Sequence, residues 1–214
     1  MKIGILGSGS VAQALGAGFL KHGHEVMLGS GSPAKLHDWA AAHPGARTGS
    51  FADAARFAEV AVLAVKGSAA LAAVQAAGAA QLAGKVVLDT TNPIADAPPV
   101  DGVLQFFTGP NESLLERLQH EYPALRFVKA FNSVGNGLMA DPSLPGGRPT
   151  MFVCGDDSDA RATARTLVEA LGWEVADMGR ATAARAIEPL CMLWCIPGLL
   201  RNEWIHAFKL LKAA

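Results

Sequence analysis

The chain has 214 residues, half of them apolar, with 17% charged and only 7% aromatic, a composition that suits close packing of helices against a buried sheet and excludes intrinsic disorder. A formal net charge of −1, with no run of lysine or arginine, excludes a nucleic-acid groove or an anionic membrane surface as the main partner and leaves a small molecule. Three cysteines, Cys154, Cys191 and Cys195, form no even-numbered, spaced framework, which fits a reducing compartment.

In chain order, Met1-Lys2 runs straight into an apolar strand at 3–6 without a charged leader or cleavage site, so no export and a cytoplasmic location are expected. A helix through Lys21, a strand at 24–28 and a helix at 33–42 follow. The rhythm continues with a short strand at 46–48, a helix from Phe51, a strand at 60–65, a helix through Gln81 and a strand at 85–89. Such unalternating apolar strands belong in a parallel sheet covered on both faces. Residues 90–109, rich in Pro, Asp and Gly, are expected to cross the carboxyl ends of the strands. A helix at 112–121 precedes strands at 126–130 and 150–154. Asp156-Asp157-Ser158 then offers the N-cap of a helix to Leu171, before a last strand at 173–177. Helices from Ala181 close the chain, broken or kinked near Pro189 and Pro197. The apolar run 190–200 is too short to span a bilayer, so no transmembrane segment is expected. The fold class is α/β: a Rossmann-type, doubly wound, mostly parallel sheet over residues 1–178, with a small C-terminal helical extension over 179–214 packed on the same core.

Gly7-Ser8-Gly9-Ser10-Val11-Ala12 matches G-x-G-x-x-A directly after the first strand and directly before a helix. Gly7 permits the tight turn, Gly9 lets the backbone approach a pyrophosphate, and Ala12 lets helix lie close on strand. The helix N-terminus presents free N–H groups to phosphates. At the end of the second strand, where an acid would accept from a ribose 2′-hydroxyl, the chain has Leu28-Gly29-Ser30-Gly31-Ser32. Ser30 and Ser32 can donate to a 2′-phosphate and Lys35 can supply charge, so NADP(H) is the expected cofactor. The alternative is that the serines only form a side-chain turn capping the helix at Pro33.

Further blocks carry a family resemblance. The segments Gly7-Ser8-Gly9-Ser10-Val11, Gly23-His24-Glu25-Val26-Met27-Leu28-Gly29-Ser30, Asp89-Thr90-Thr91-Asn92-Pro93, Val128-Lys129-Ala130-Phe131-Asn132, Arg185-Ala186-Ile187-Glu188-Pro189-Leu190 and Ala207-Phe208-Lys209-Leu210-Leu211 resemble the deazaflavin-dependent NADP reductases and their bacterial dinucleotide-binding relatives. The resemblance implies hydride transfer between NADPH and a flavin-like ring, a deazaflavin or a flavin, with ferric acceptors in more distant relatives. It implies a phosphate loop of Ser8, Gly9, Ser10 and Val11, an adenosine phosphate site at Ser30 and Lys35, and a nicotinamide side lined by Ala64, Val65, Asn132, Val134 and Asn136. The family usually has Arg after the Ser; here Gly31 stands there, which weakens the 2′-phosphate contact.

Hydride transfer needs closeness and exclusion of water more than an acid, so no triad is demanded and no catalytic residue is assigned. Asn92 and Asn132, each following a strand, can orient a carboxamide or ring carbonyl, although Asn92-Pro93 is equally a turn dipeptide. Lys129 could donate a proton or contact phosphate, but a lysine near a strand end is expected to pack its stem and hold its ammonium in solvent. Glu188 is expected to pair with Arg185 or cap a helix. His22 and His24 read as turn residues, no histidine has metal-ligand spacing, and Cys191 and Cys195 read as packed thiols; no metal site is expected. Trp194, Leu199, Leu200 and Trp204 on the last helix either complete the core or form the interface of a homodimer. Two other functions stay open: a non-catalytic NADP(H)-binding sensor, and a reductase of small imines or carbonyls. The second is disfavoured because no long helical dimerisation domain follows Asp177.

Overall fold

The computed structural model describes residues 1–213. Six strands, β1 (Lys2–Leu6), β2 (Glu25–Gly29), β3 (Arg47–Gly49), β4 (Val60–Leu63), β5 (Val86–Asp89) and β6 (Arg126–Lys129), form one parallel sheet in the order β3-β2-β1-β4-β5-β6. Both neighbours of β1 run parallel to it. The order reverses between β1 and β4, and in open α/β sheets ligands bind in the crevice outside the carboxyl ends at that switch.

α1 (Ser10–Lys21) follows β1, and a 3₁₀ turn at Pro33–Leu36 runs into α2 (His37–Ala42) after β2. α3 (Phe51–Phe57) opens on a capping box in which the Ser50 hydroxyl accepts from the Asp53 N–H while the Asp53 carboxylate accepts from Ser50 N–H. The expected helix through Gln81 is two, α4 (Ala70–Ala77) and α5 (Ala79–Leu82), because Gly78 turns the chain at φ 80°. α6 (Leu114–Glu121) is capped by the Ser113 hydroxyl. β7 (Thr150–Val153) and β8 (Glu174–Asp177) pair parallel to each other around α7 (Ser158–Ala170), and the Lys129 N–H donates to Cys154 O at 2.9 Å, so β7 runs antiparallel beside β6.

The core has one layer on each face of the sheet. Ile3, Ile5, Val26 and Leu28 meet Leu15 and Phe19 of α1 on one side; Leu6, Ala61, Leu63, Val87 and Phe127 meet α3, α4 and α6 on the other. The small residues read in the sequence let helix and strand touch: a Cβ at Gly4 would fall 2.2 Å from Ala54 O.

The expected break near Pro189 is present: α8 (Ala184–Ile187) ends before Glu188 and α9 (Pro189–Arg201) begins after it, with Pro189 in the first position of α9, where a missing N–H costs nothing. Pro197 lies inside α9. The stretch Ala181–Arg201 has the length and mean hydropathy, 1.3, to cross a bilayer; about a third of it, including Ala184, Ile187, Glu188, Cys191 and Trp194, is buried on this fold, while Leu193, Leu199 and Leu200 are exposed. After Asn202, at φ 58°, residues 203–213 form no helix; the tail lies across the small sheet, where Phe208 O accepts from Thr150 N–H at 2.9 Å.

Candidate functional site

The Gly7-to-Ala12 turn is built for an anion. Gly7 N–H donates to Gly29 O at 2.9 Å, tying the turn to β2, and a Cβ at Gly7 would fall 2.1 Å from Ala64 O. Gly9 is the N-cap of α1, whose first turn receives no side-chain cap and holds no acid, so its N–H groups stay free for a ligand. A Cβ at Gly9 would meet no protein atom within 4 Å and would enter the space in front of the helix. That space is a cavity of about 730 Å³ lined by Ser8, Gly9, Ser10, Val11, Lys35, Ala64, Val65, Lys66, Ala69 and Thr90. These residues fit a dinucleotide pyrophosphate.

At the ribose end both readings of Ser30 meet in one side chain. Its hydroxyl accepts from Ser32 N–H at 3.1 Å, forming the side-chain turn, and donates to Ser8 Oγ at 3.2 Å, joining the β2 turn to the phosphate loop. It is buried, while Gly31 borders open space and Lys35 stands in the cavity wall. Residues 28–37 contain no acid.

A second cavity of about 420 Å³ continues from the first, sharing Val11, Val65, Lys66 and Thr90 and adding Gly67, Thr91, Asn92 and residues 94–97 of the long excursion. The excursion folds back on itself through bridges Ile94–Phe106 and Val100–Val103. Asn92 and Asn132 clasp each other: Asn92 Nδ2 donates to Asn132 O at 2.8 Å, and Asn132 Nδ2 donates to Asn92 Oδ1 at 3.1 Å and to Ile187 O at 3.0 Å. The two acceptors fix which way the Asn132 amide points, and they leave its buried Oδ1 without a hydrogen-bond partner. Phe131, buried and at φ 58°, makes the turn that delivers Asn132, a conformation costing about 1–3 kcal/mol for such a residue. Asn132, Val134 and Asn136 lie outside both cavity walls: Asn132 is buried against Asn92 and Ile187, Val134 packs in the core, and Asn136 borders a separate depression beside Ala14 and Lys21 of α1.

Beneath this wall sits a cluster that the sequence reading missed. Lys129, expected to reach solvent, has no exposed surface; its Nζ lies 2.6 Å from Asp89 Oδ2, 2.9 Å from Glu188 Oε1 and 2.7 Å from Thr91 O, to which it donates. Burial pushes the ammonium pKa down, but the two carboxylates outweigh it and hold the pKa above the ordinary lysine value. Glu188 does cap a helix, on a different element from its own: its carboxylate accepts from Leu114 N–H at 2.9 Å and Leu115 N–H at 3.0 Å at the start of α6. Arg185 pairs instead with Glu116. Burial pushes the Cys154 thiol up to about 12, and the Cys191 thiol is raised too, by its bond with Cys195 and by burial, so neither is an activated nucleophile. Among the described residues no group of histidine, cysteine or acid side chains has metal-holding geometry.

The fold order, the uncapped glycine turn and the trough running from it define a Rossmann-type dinucleotide-binding protein. The family model described as NADP oxidoreductase, coenzyme F420-dependent, matches residues 2–93. A solved structure from Arthrobacter sp. FB24, described as a candidate F420-dependent NADP reductase, is 33% identical with a TM-score of 0.91, over 99% of this chain and 100% of that one. The chain belongs to this family of NADP-dependent oxidoreductases. Metalloreductase STEAP3 of Rattus norvegicus is 33% identical over 207 residues, 93% of this chain, which spans 39% of that protein's length. An imine reductase of Streptomyces aurantiacus, 17% identical with a TM-score of 0.68 over 94% of this chain and 63% of that one, shares the fold.

Proposed function

We propose that the chain transfers a hydride between NADPH and a flavin-like acceptor, an 8-hydroxy-5-deazaflavin or a flavin. The observation that carries this reading is the single trough from the free N-terminus of α1 to a second cavity whose wall, Val11, Val65, Gly67, Thr90, Thr91, Asn92 and Ile94 among others, is neutral apart from Lys66 and Asp96. The nicotinamide supplies the reactive bond itself when bound. The protein's part is to bind, orient and keep water out: Ser8, Gly9 and Ser10 meet the pyrophosphate, Ser30 and Lys35 face the adenosine phosphate, and Asn92, held in place by Asn132, orients the ring amide.

The test follows NADPH oxidation spectrophotometrically with FMN, FAD, deazaflavin and ferric chelates in parallel. Turnover of a flavin or deazaflavin is expected. Silence from all four would sink the reading, and tight NADPH binding with that silence would mark a non-catalytic sensor.

The same reading places a small-molecule enzyme, with no nucleic-acid or membrane partner, in the cytoplasm as a homodimer. Three free cysteines support the reducing setting, and exposed Leu193, Leu199, Leu200 and Ile205 support self-association. Light scattering on the purified chain tests the dimer.

A further inference from the structure

We propose that the buried Asp89–Lys129–Glu188 triad is the positioning element of the nicotinamide half of the cleft, holding the wall formed by Thr91 and Asn92 at a fixed place. The inference rests on the reading of the trough as an NADP(H) site.

Every polar main-chain atom of Thr91 is held by the triad. Asp89 Oδ1 accepts from Thr91 N–H at 2.9 Å and from its hydroxyl at 2.7 Å, and Lys129 Nζ donates to its carbonyl at 2.7 Å. Lys129 Nζ donates to Thr91 O and forms ion pairs with Asp89 Oδ2 at 2.6 Å and Glu188 Oε1 at 2.9 Å, three contacts that fix the nitrogen as a point rather than a swinging head. Full burial, with no place in either cavity wall, removes Lys129 from the reaction, so its role is positional. Asn132 continues the brace from the other side, joining Asn92 to Ile187 O, one residue before Glu188.

Three segments distant in the chain, the ends of β5 and β6 and the junction of α8 with α9, therefore meet under the part of the sheet that receives the second half of a dinucleotide. A well-packed apolar replacement of a buried ion cluster is often as stable as the cluster, so stability alone does not account for three charges here. Geometry does. Hydride donor and acceptor must stand about 3–3.5 Å apart and aligned, and a misplacement of about 1 Å costs on the order of 100-fold in rate.

The experiment compares the unsubstituted chain with Lys129→Met, which keeps the stem but removes the donor, and with Asp89→Asn/Lys129→Met, which also removes a stranded charge while leaving an acceptor for Thr91. Affinity for 2′,5′-ADP, which lacks the nicotinamide, is expected to stay within about twofold in both, as for sites that share no contacts. The rise in nicotinamide fluorescence on binding NADPH is expected to be lost, and kcat to fall about 100-fold with little change in KM. Folded variants that keep the fluorescence rise and kcat overturn the proposal. So does a loss of 2′,5′-ADP affinity in step with NADPH, the mark of a structural role. Should neither variant fold, Thr91→Val decides the matter, since it removes only the hydroxyl bond to Asp89: a partial loss of the fluorescence rise supports the proposal and an unchanged signal overturns it. No NADPH binding by the unsubstituted chain would take down the cofactor reading first, with this inference after it.

Discussion

Asp89 and Lys129 are register partners on β5 and β6, and their charged groups meet at 2.6 Å with no exposed surface on either residue. Pairing across adjacent parallel strands brings the opposite charges together, and Glu188 arrives from the C-terminal helix to complete the cluster. The lysine is charged because both carboxylates outweigh its desolvation. Each member of such a cluster depends on the other two.

Removing one member leaves a buried charge without its counterpart. Glu188→Ala also strips two N–H acceptors from the start of α6. The expected loss is about 3–5 kcal/mol of unfolding free energy, read from urea denaturation. A loss below about 1 kcal/mol, the range of a surface pair, would show that water reaches the site.

The two glycines of the turn separate fold from ligand. Gly7→Ala places a Cβ 2.1 Å from the Ala64 carbonyl oxygen and is expected to destabilise the chain, because backbone must move to admit it. Gly9→Ala meets nothing within 4 Å at φ −79°, ψ −178°, so its melting curve is expected to shift little. Its NADPH affinity is expected to fall by about tenfold or more, since the added methyl occupies the approach to the pyrophosphate. Paired thermal melts and NADPH titrations check both, and equal binding by Gly9→Ala would remove the pyrophosphate from this turn.

Gly31 borders open space, so an arginine can be built there without displacing protein. Gly31→Arg is expected to tighten NADPH binding by about 1.5–3 kcal/mol per charge-assisted bond gained, with little effect on NADH. Titration of both nucleotides measures the difference. Equal gains for the two would place the 2′-phosphate elsewhere.

The Arg126–Asp157 pair sets a pH dependence. The Arg126 guanidinium and the Ala160 N–H hold the Asp157 pKa down at about 2. A folded pKa below the unfolded value, about 3.9, contributes stability that is present above pH 4 and lost as pH falls through 2. Asp157→Asn keeps a cap for α7 but loses the charge. The stability gap between the two proteins is expected to be under about 1 kcal/mol at pH 7, given the exposure of the pair, and to close between pH 4 and 2. A gap that does not narrow would show that folding does not lower the Asp157 pKa.

The glycine turn and the parallel strands were legible because each is written locally, as a motif beside an apolar run or as an unbroken run of apolar residues. Asn92, three residues past the end of β5, was legible as a residue of the sheet's carboxyl edge but equally as a turn with Pro93; it lines the second cavity. The burial of Lys129 was not, because its countercharges lie on other elements and only strand register and helix docking bring them in. Glu188 was readable as a cap but not as the cap of α6, which is far away in the chain. Ser30 carried two readings, a turn and a ligand contact, and its hydroxyl serves the turn while bordering the phosphate loop. The tail after Asn202 was read as helix from its apolar content; its backbone instead bonds to Thr150, a contact that no local pattern announces.

Lys66 borders both cavities, and its Nζ lies 3.7 Å from Asp96 Oδ1 across the mouth of the trough. Both side chains are mostly exposed, so the pair contributes little to stability and Lys66→Glu is expected to melt close to the unsubstituted chain. If the acceptor is a flavin, as proposed, the position of Lys66 at the opening is expected to attract an anionic tail on it. FMN carries a phosphate that riboflavin lacks, and the two share the ring that would accept the hydride. Lys66→Glu is expected to raise KM for FMN by about tenfold, roughly 1.4 kcal/mol, while riboflavin changes little. Screening shortens the reach of an exposed charge to about 3 Å at 1 M salt, so the difference between the acceptors is expected to shrink there. Steady-state kinetics with both acceptors at low and high salt separates the cases: an equal rise in KM for the two would show that Lys66 does not read the tail, and would move its charge to the cofactor side of the trough.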